Sequence, residues 1–231
     1  MVVKATALVL LHSIFVLLST TASTMATTKG QQEGSDFVFP VIDIGPWTTS
    51  ASSNEESRLH VAALMEQACR EIGFFAIQNH GVNKTVIDNL WKASREFFDL
   101  PLDQKLQSKT TNEAQYPYGY ERSETLVAGK SLDTGDTTTT TALPDLKETF
   151  SLGPDNPLAG MPPRKYPIQP PQLESALASY YQEMEHLASL LLQIFATALR
   201  LPREWFDDKM DHHLSALRLV NYWETTSAAK V

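Results

Sequence analysis

The sequence is poor in several residues that would settle its chemistry quickly. Cys69 is the single cysteine among 231 residues. That excludes an intramolecular disulfide and any zinc site built on cysteines. Helical spacing around it places the side chain on the apolar side of a helix, so a buried, inert thiol is expected. Basic residues are also scarce: 19 Lys and Arg stand against 27 Asp and Glu, for a formal net charge of -8. No basic cluster offsets this balance, and no nucleic acid partner is expected. There is no glycine-rich nucleotide loop and no nucleophile-elbow motif. Long apolar runs are lacking too, apart from one at the N-terminus.

That run reads as a leader. Lys4 supplies a positive start, and the stretch from Ala5 to Ser19 is apolar except at Thr6, His12, Ser13 and its end. Small residues come next at Thr20, Thr21, Ala22, Ser23, Thr24 and Ala26. This is the layout of a secretory signal peptide with cleavage near Ala22 or Ala26. The run is shorter than the roughly 20 residues that span a bilayer. Residues 1–26 are therefore taken as a signal peptide or targeting leader and 27–36 as a flexible linker. The expected route is the secretory pathway, ending outside the cell or in a complex plastid, with the cytoplasm as destination if the leader is unused. No membrane association beyond the leader is expected.

Composition is that of an ordinary globular protein, 42% hydrophobic and 20% charged over the whole chain. Phe37 to Ile44 alternates and reads as a strand closed by Gly45-Pro46. Ser53-Asn54-Glu55-Glu56 fits a capping box with Ser53 as N-cap. Leu59, Ala62, Met65, Cys69 and Ile72 then recur at helical spacing up to Gly73. Phe74 to Ile77 is a short apolar strand, and Asn79-His80-Gly81 is a turn. Asn83 caps a second helix bearing Ile87, Leu90, Trp91, Ser94, Phe97 and Phe98. The cap role competes with use of the Asn83-Lys84-Thr85 glycosylation sequon, which is expected to be unmodified. Leu102 to Gln107 adds a helical turn.

Beyond Thr110 the texture changes. Tyr116 to Tyr120 is an irregular aromatic segment, and Ser131 to Thr141 is a threonine-rich loop insertion. Lys147 to Gly153 reads as a strand. After a proline-rich connector, a long helix over about 172–200 carries Leu173, Leu177, Tyr180, Met184, Leu187, Leu191, Ile194 and Ala198 in one stripe, widened by Leu190, Phe195 and Leu199. Pro202 opens a short helical piece. Leu214 to Tyr222 is a strand with apolar residues on both faces.

Two polar clusters invite a metal reading and fail it. Glu183 and His186 form one Glu-x-x-His, whereas a di-iron bundle needs two such motifs and two further glutamates. Asp207, Asp208, Asp211, His212 and His213 are read as a solvated connector.

Several of these segments carry a family likeness. Phe39-Pro40-Val41-Ile42-Asp43-Ile44, then Gly73-Phe74-Phe75-Ala76-Ile77-Gln78-Asn79-His80-Gly81-Val82, then Phe97-Phe98-Asp99-Leu100-Pro101 with Lys105 stand in a particular order. Gly119-Tyr120, Lys147-Glu148-Thr149-Phe150 and Leu217-Arg218-Leu219-Val220-Asn221-Tyr222 continue it. In this order and spacing the chain resembles the isopenicillin N synthase-like iron(II)/2-oxoglutarate-dependent dioxygenases over residues 37–222. The resemblance implies an α+β fold, the helical N-terminal region of a double-stranded β-helix (jelly-roll) oxygenase. It places the N-terminal domain at 37–170, the long helix and first core strand at 171–222, and a tail at 223–231. It also implies Fe(II) held by His-x-Asp and a distant second His, and 2-oxoglutarate reaching an Arg-x-Ser pair. Such a metal keeps three coordination positions open for co-substrate and oxygen, and a small-molecule substrate is hydroxylated or desaturated.

The residues for that chemistry are not in this sequence. The histidines are His12, His60, His80, His186, His212 and His213, and none is followed two places later by Asp or Glu. No Arg-x-Ser occurs. A jelly roll needs on the order of 40–50 strand residues, and the sequence runs from Tyr222 only to Val231. The expectation is therefore an incomplete barrel, with no metal ligand or catalytic residue in this chain and neither Fe(II) nor 2-oxoglutarate bound to it alone. By the resemblance, Tyr222 is the one candidate for a co-substrate or substrate contact, with Trp223 standing where a proline is common in the family. Asn221 and Arg218 are weaker candidates, and His80 is a structural turn residue. The alternative is a non-catalytic interaction module derived from the same family.

Overall fold

A computed structural model describes residues 39–49, 54–109, 118–122, 147–155, 163–210, 213 and 215–223. The leader, the linker, the threonine-rich insertion, Asp211 and His212 lie outside the described residues. The chain divides into two interleaved units. Among the described residues, one takes in 39–84 and 179–213, the other 85–178 and 215–223.

In the first unit, β1 (Val41–Asp43) and β2 (Ala76–Gln78) pair in parallel, with Val41 opposite Ala76 and Asp43 opposite Gln78. A parallel pair needs a crossover, and α2 (Glu55–Glu71) supplies it. Ile42 and Ile44 are buried while Val41 and Asp43 are exposed, so β1 buries alternate side chains. α2 lies against β1 and buries Val61, Ala62, Met65 and Ala68.

Three sequence expectations for α2 fail. Its N-cap is Asn54, not Ser53: the Asn54 carboxamide oxygen accepts the Ser57 amide at 2.8 Å. Cys69 is exposed rather than buried. The inward stripe runs through Val61, Met65 and Ala68, and Cys69 stands one residue, or about 100°, around the helix from Ala68. Leu59 is exposed for a related reason, since Val61 and Ala62 take the inward positions.

The short α1 (Gly45–Thr48) buries Trp47. The Arg58 and Arg203 guanidiniums stand 5.7 Å and 5.2 Å from its ring centroid. Trp47 Nε1 donates to the Arg58 carbonyl at 3.2 Å, and Arg203 is ion-paired with Glu55. Arg203 opens a 3-10 helix, Arg203–Lys209.

The long helix α5 spans Gln172–Ala198, with its residues from Ser179 onward in this first unit. Tyr180, Met184, Leu187, Leu191 and Ile194 are buried as the periodicity predicts, but Leu199 is exposed. Leu199 lies beyond the helix end, where Arg200 turns to φ 59°.

The second unit contains α3 (Lys84–Phe98), α4 (Leu102–Leu106), the start of α5 and a three-stranded antiparallel sheet. α3 begins at the residue after Asn83, and Ile87, Leu90, Ser94, Phe97 and Phe98 on it are buried. Ser94 is tolerated there because its hydroxyl donates to the Leu90 carbonyl at 2.6 Å. The sheet has the order β3 (Gly119–Glu121), β4 (Lys147–Leu152), β5 (Leu217–Tyr222). Gly119-Tyr120, expected to be irregular, is an edge strand paired to β4. The described strands form these two small sheets and no closed barrel. No helix among the described residues is long and apolar enough to cross a membrane.

Candidate functional site

The three-stranded sheet gathers the residues with chemical potential. Directly opposed residues of antiparallel strands share a face. Tyr120 opposes Phe150, and Glu148, Phe150 and Leu152 oppose Asn221, Leu219 and Leu217. These side chains make one face, and all are buried. Glu121, Lys147, Thr149, Ser151, Arg218, Val220 and Tyr222 make the other.

The buried face packs on α3 through Phe97. Its ring meets Phe98, Tyr120 and Phe150 edge-on, with centroids 5.2, 6.0 and 5.5 Å away. Within this apolar setting lies one carboxylate. Glu148 Oε2 accepts Lys105 Nζ at 2.8 Å and the Tyr120 hydroxyl at 2.6 Å. Glu148 Oε1 accepts Asn221 Nδ2 at 2.9 Å. Lys105 Nζ also donates to the Phe98 carbonyl at 2.9 Å and stands 5.8 Å from the Tyr120 ring centroid. Burial, and then the hydrogen bond to Glu148, push the Tyr120 phenol well above its ordinary range, so it acts as a permanent donor. Asn221 is 4% exposed, and its Oδ1 has no hydrogen-bond partner among the described residues.

The opposite face is polar. Arg218 Nε donates to Ser151 Oγ at 3.1 Å, and Thr149 and Ser151 are buried beside it. Tyr222 ends β5 opposite Lys147 and is 53% exposed. The Arg122 guanidinium lies 5.8 Å from the Trp223 ring centroid. At the end of β4, Arg164 Nε donates to the Gly153 carbonyl at 2.8 Å. A Cβ on Gly153 would lie 2.5 Å from the Tyr118 ring, so a side chain there requires that ring to shift.

The residues singled out in the sequence fall in different places. Tyr222 and Arg218 share the polar face of β5, and Asn221 turns to the opposite side. His80 belongs to the turn after β2, where its Nδ1 accepts the Val82 amide at 3.1 Å. That turn is locked by Asn79, at φ 56°, which donates from Nδ2 to Asp43 Oδ2 at 2.8 Å. His213 Nε2 lies 3.1 Å from Glu185 Oε1, and Asp208 is paired with Lys209. The Glu148 quartet was not anticipated as a site. Lys105 and Glu148 stood in the sequence only as parts of two separate motifs, and no periodicity links residues 43 apart.

The described residues offer no fit for a resident iron. Among the described residues no three His, Cys, Asp or Glu side chains approach one another closely enough to hold a metal ion. The His213–Glu185 pair supplies at most two ligands.

Comparison with known proteins gives this geometry a context. Residues 39–173 match the family profile described as non-haem dioxygenase in morphine synthesis, N-terminal. Clavatol oxidase claD of Penicillium crustosum is 30% identical over 200 residues, covering 80% of this chain and 58% of that protein. A 2-oxoglutarate-dependent dioxygenase of Didymella fabae is 29% identical over 202 residues, covering 80% of this chain and 56% of that protein. The chain thus spans little more than half the length of these relatives. Among solved structures, a full-length Neurospora crassa protein in complex with alpha-KG superposes with a TM-score of 0.68 at 20% identity, covering 84% of this chain and 57% of that one. A 2OG-Fe(II) oxygenase family protein from Caulobacter crescentus gives 0.66 at 19% identity, covering 83% and 58%.

Proposed function

Because the chain belongs to the 2-oxoglutarate/Fe(II) dioxygenase family through that family's N-terminal domain, we propose that it is the N-terminal portion of an oxygenase that hydroxylates or desaturates a small molecule, and that these residues alone are inactive. The observation carrying this reading is the match over 39–173, joined to a fold shared with solved oxygenases. In the complete enzyme the cofactors are Fe(II) and 2-oxoglutarate, which together supply the oxidising chemistry. The present residues contribute scaffold: an aromatic core under the three-stranded sheet, and a polar sheet face carrying Arg218 and Tyr222. Tyr222 is the residue assigned to contact co-substrate or substrate. Its phenol stands at the open end of β5, half exposed and able to donate or accept one hydrogen bond.

The test has two parts. The purified 231-residue chain is titrated with Fe(II) and assayed for 2-oxoglutarate decarboxylation, and neither stoichiometric iron nor turnover is expected. Full-length transcripts are then sequenced past Val231, where a continuing frame with His-x-Asp, a later His and Arg-x-Ser is expected. Turnover by the chain alone overturns the inactive assignment. A stop codon after Val231 in independent transcripts overturns the enzyme reading in favour of an interaction module. The leader is assigned to secretory entry, and an N-terminus beginning just after Ala22 or Ala26 in the mature protein is the expected result.

A further inference from the structure

β5 poses a register problem that its own sequence does not solve. Leu217 and Leu219 face the aromatic core, and Val220 and Tyr222 lie on the other side. A slip of one residue would turn Arg218 into the core, which its charge forbids. A slip of two residues is different. It would place Leu219 opposite Glu148 and Leu217 opposite Phe150, keeping leucines against the core, with the hydrophobic pattern unable to object. Tyr222 would then move two places along the sheet and lose its position opposite Lys147.

The Glu148 quartet discriminates between these registers. Lys105 and Tyr120 occupy Oε2 as donors, so Oε1 needs a donor of its own. Asn221 Nδ2 provides it in the observed register. In the slipped register Leu219 would face Oε1 and provide nothing, leaving a buried carboxylate oxygen unpaired. Burying a charge among Phe97, Phe98 and Phe150 is a poor route to stability, since well-packed apolar replacements of such pairs are often as stable or more so. It is an effective route to a unique pairing, as single buried polar residues show in coiled coils.

We propose that the Glu148–Asn221 hydrogen bond is the register pin of β5, and hence the positioning contact that sets Tyr222 opposite Lys147 on the polar face. The naming of Tyr222 as the beneficiary rests on the proposed oxygenase reading. The pin itself does not.

Register is read directly from cross-strand proton contacts by NMR in the full 231-residue chain. The parent chain should show 148–221 and 150–219 contacts only. Moving the pin with Leu219→Asn/Asn221→Leu should move the strand, giving 148–219 and 150–217 contacts. Removing the pin without leaving a charge, with Lys105→Met/Glu148→Leu/Asn221→Leu, should populate both registers or release β5 while the helices persist. Glu148→Gln should keep the native register, with the Asn221 carboxamide reversed so that Oδ1 accepts the new amide. The native register alone in either of the first two variants overturns the proposal. So does collapse of all secondary structure in both, which would make the quartet a general core element. Mixed registers in Glu148→Gln also overturn it. Since no readout involves iron or 2-oxoglutarate, failure of the oxygenase reading leaves this test intact.

Discussion

Replacing Lys105 with methionine should cost the protein about 3–5 kcal/mol, the penalty typical of breaking a buried ion pair from one side. The side chains of Lys105 and Glu148 are only 9% and 2% exposed, so solvent cannot take over the lost interaction. Methionine keeps most of the apolar stem but removes two donors, one to the Glu148 carboxylate and one to the Phe98 carbonyl. A hydrogen bond to a charged group contributes about 1.5–3 kcal/mol and a neutral one about 1 kcal/mol, and the stranded carboxylate adds desolvation on top. The Tyr120 hydroxyl and Asn221 amide remain as its only donors among the described residues. The double variant Lys105→Met/Glu148→Leu leaves no buried charge and should lose less than about 2 kcal/mol, so it should be more stable than either single variant, the mark of a strongly coupled pair in a double-mutant cycle. Urea unfolding followed by far-UV circular dichroism at fixed pH measures all four corners. A Lys105→Met variant within about 1 kcal/mol of the parent, or a double variant weaker than both singles, would refute the reasoning.

His80 gives a pH prediction. Burial holds its imidazole below the ordinary 6.5, and its Nδ1 must stay unprotonated to accept the Val82 amide. Protonation therefore favours the unfolded chain. Full stability is expected above about pH 6.5, falling as the pH drops through 6.5 toward the lower folded value, and His80→Asn should show a shallower fall in urea midpoint between about pH 7.5 and 5.5. Gly153→Ala should destabilise by about 1–3 kcal/mol through overpacking against the Tyr118 ring. Adding Tyr118→Ala should return part of that loss in the same unfolding assay, and an additive double variant would count against the contact.

Much of the fold was legible because its helices are amphipathic. α3 and α5 bury the residues that a 3.6 period selects, with Phe97 and Leu191 deep in the core. The errors come from phase and from length. Cys69 and Ala68 are adjacent small residues, so the stripe could be drawn through either, and the packing chose Ala68. β3 is three residues of Gly-Tyr-Glu, too short to alternate, and only pairing with β4 makes it a strand. β5 was recognisable as a strand, but with apolar residues on both sides it did not announce which side was the core. The Glu148 quartet was beyond reach for a different reason. Its hydrogen bonds join residues 28, 43 and 73 positions apart, and nothing local distinguishes Glu148 from a solvent-facing glutamate. The motifs shared with a family supplied its order in the chain, and the structure supplied its chemistry.

The two guanidiniums over the Trp47 indole have a practical corollary. Trp47 and Trp205 fall in one unit, Trp91 and Trp223 in the other, and the chain has 4 tryptophans in all. Each half of the molecule is thus fitted with its own pair of native fluorophores. Of the two cations over the Trp47 ring, Arg203 stands on the 3-10 segment and should leave when that segment peels away, whereas Arg58 stays behind on α2. Its spectrum should therefore act as a dye-free gauge of that event, reporting local fraying at concentrations and speeds that labelled probes would disturb.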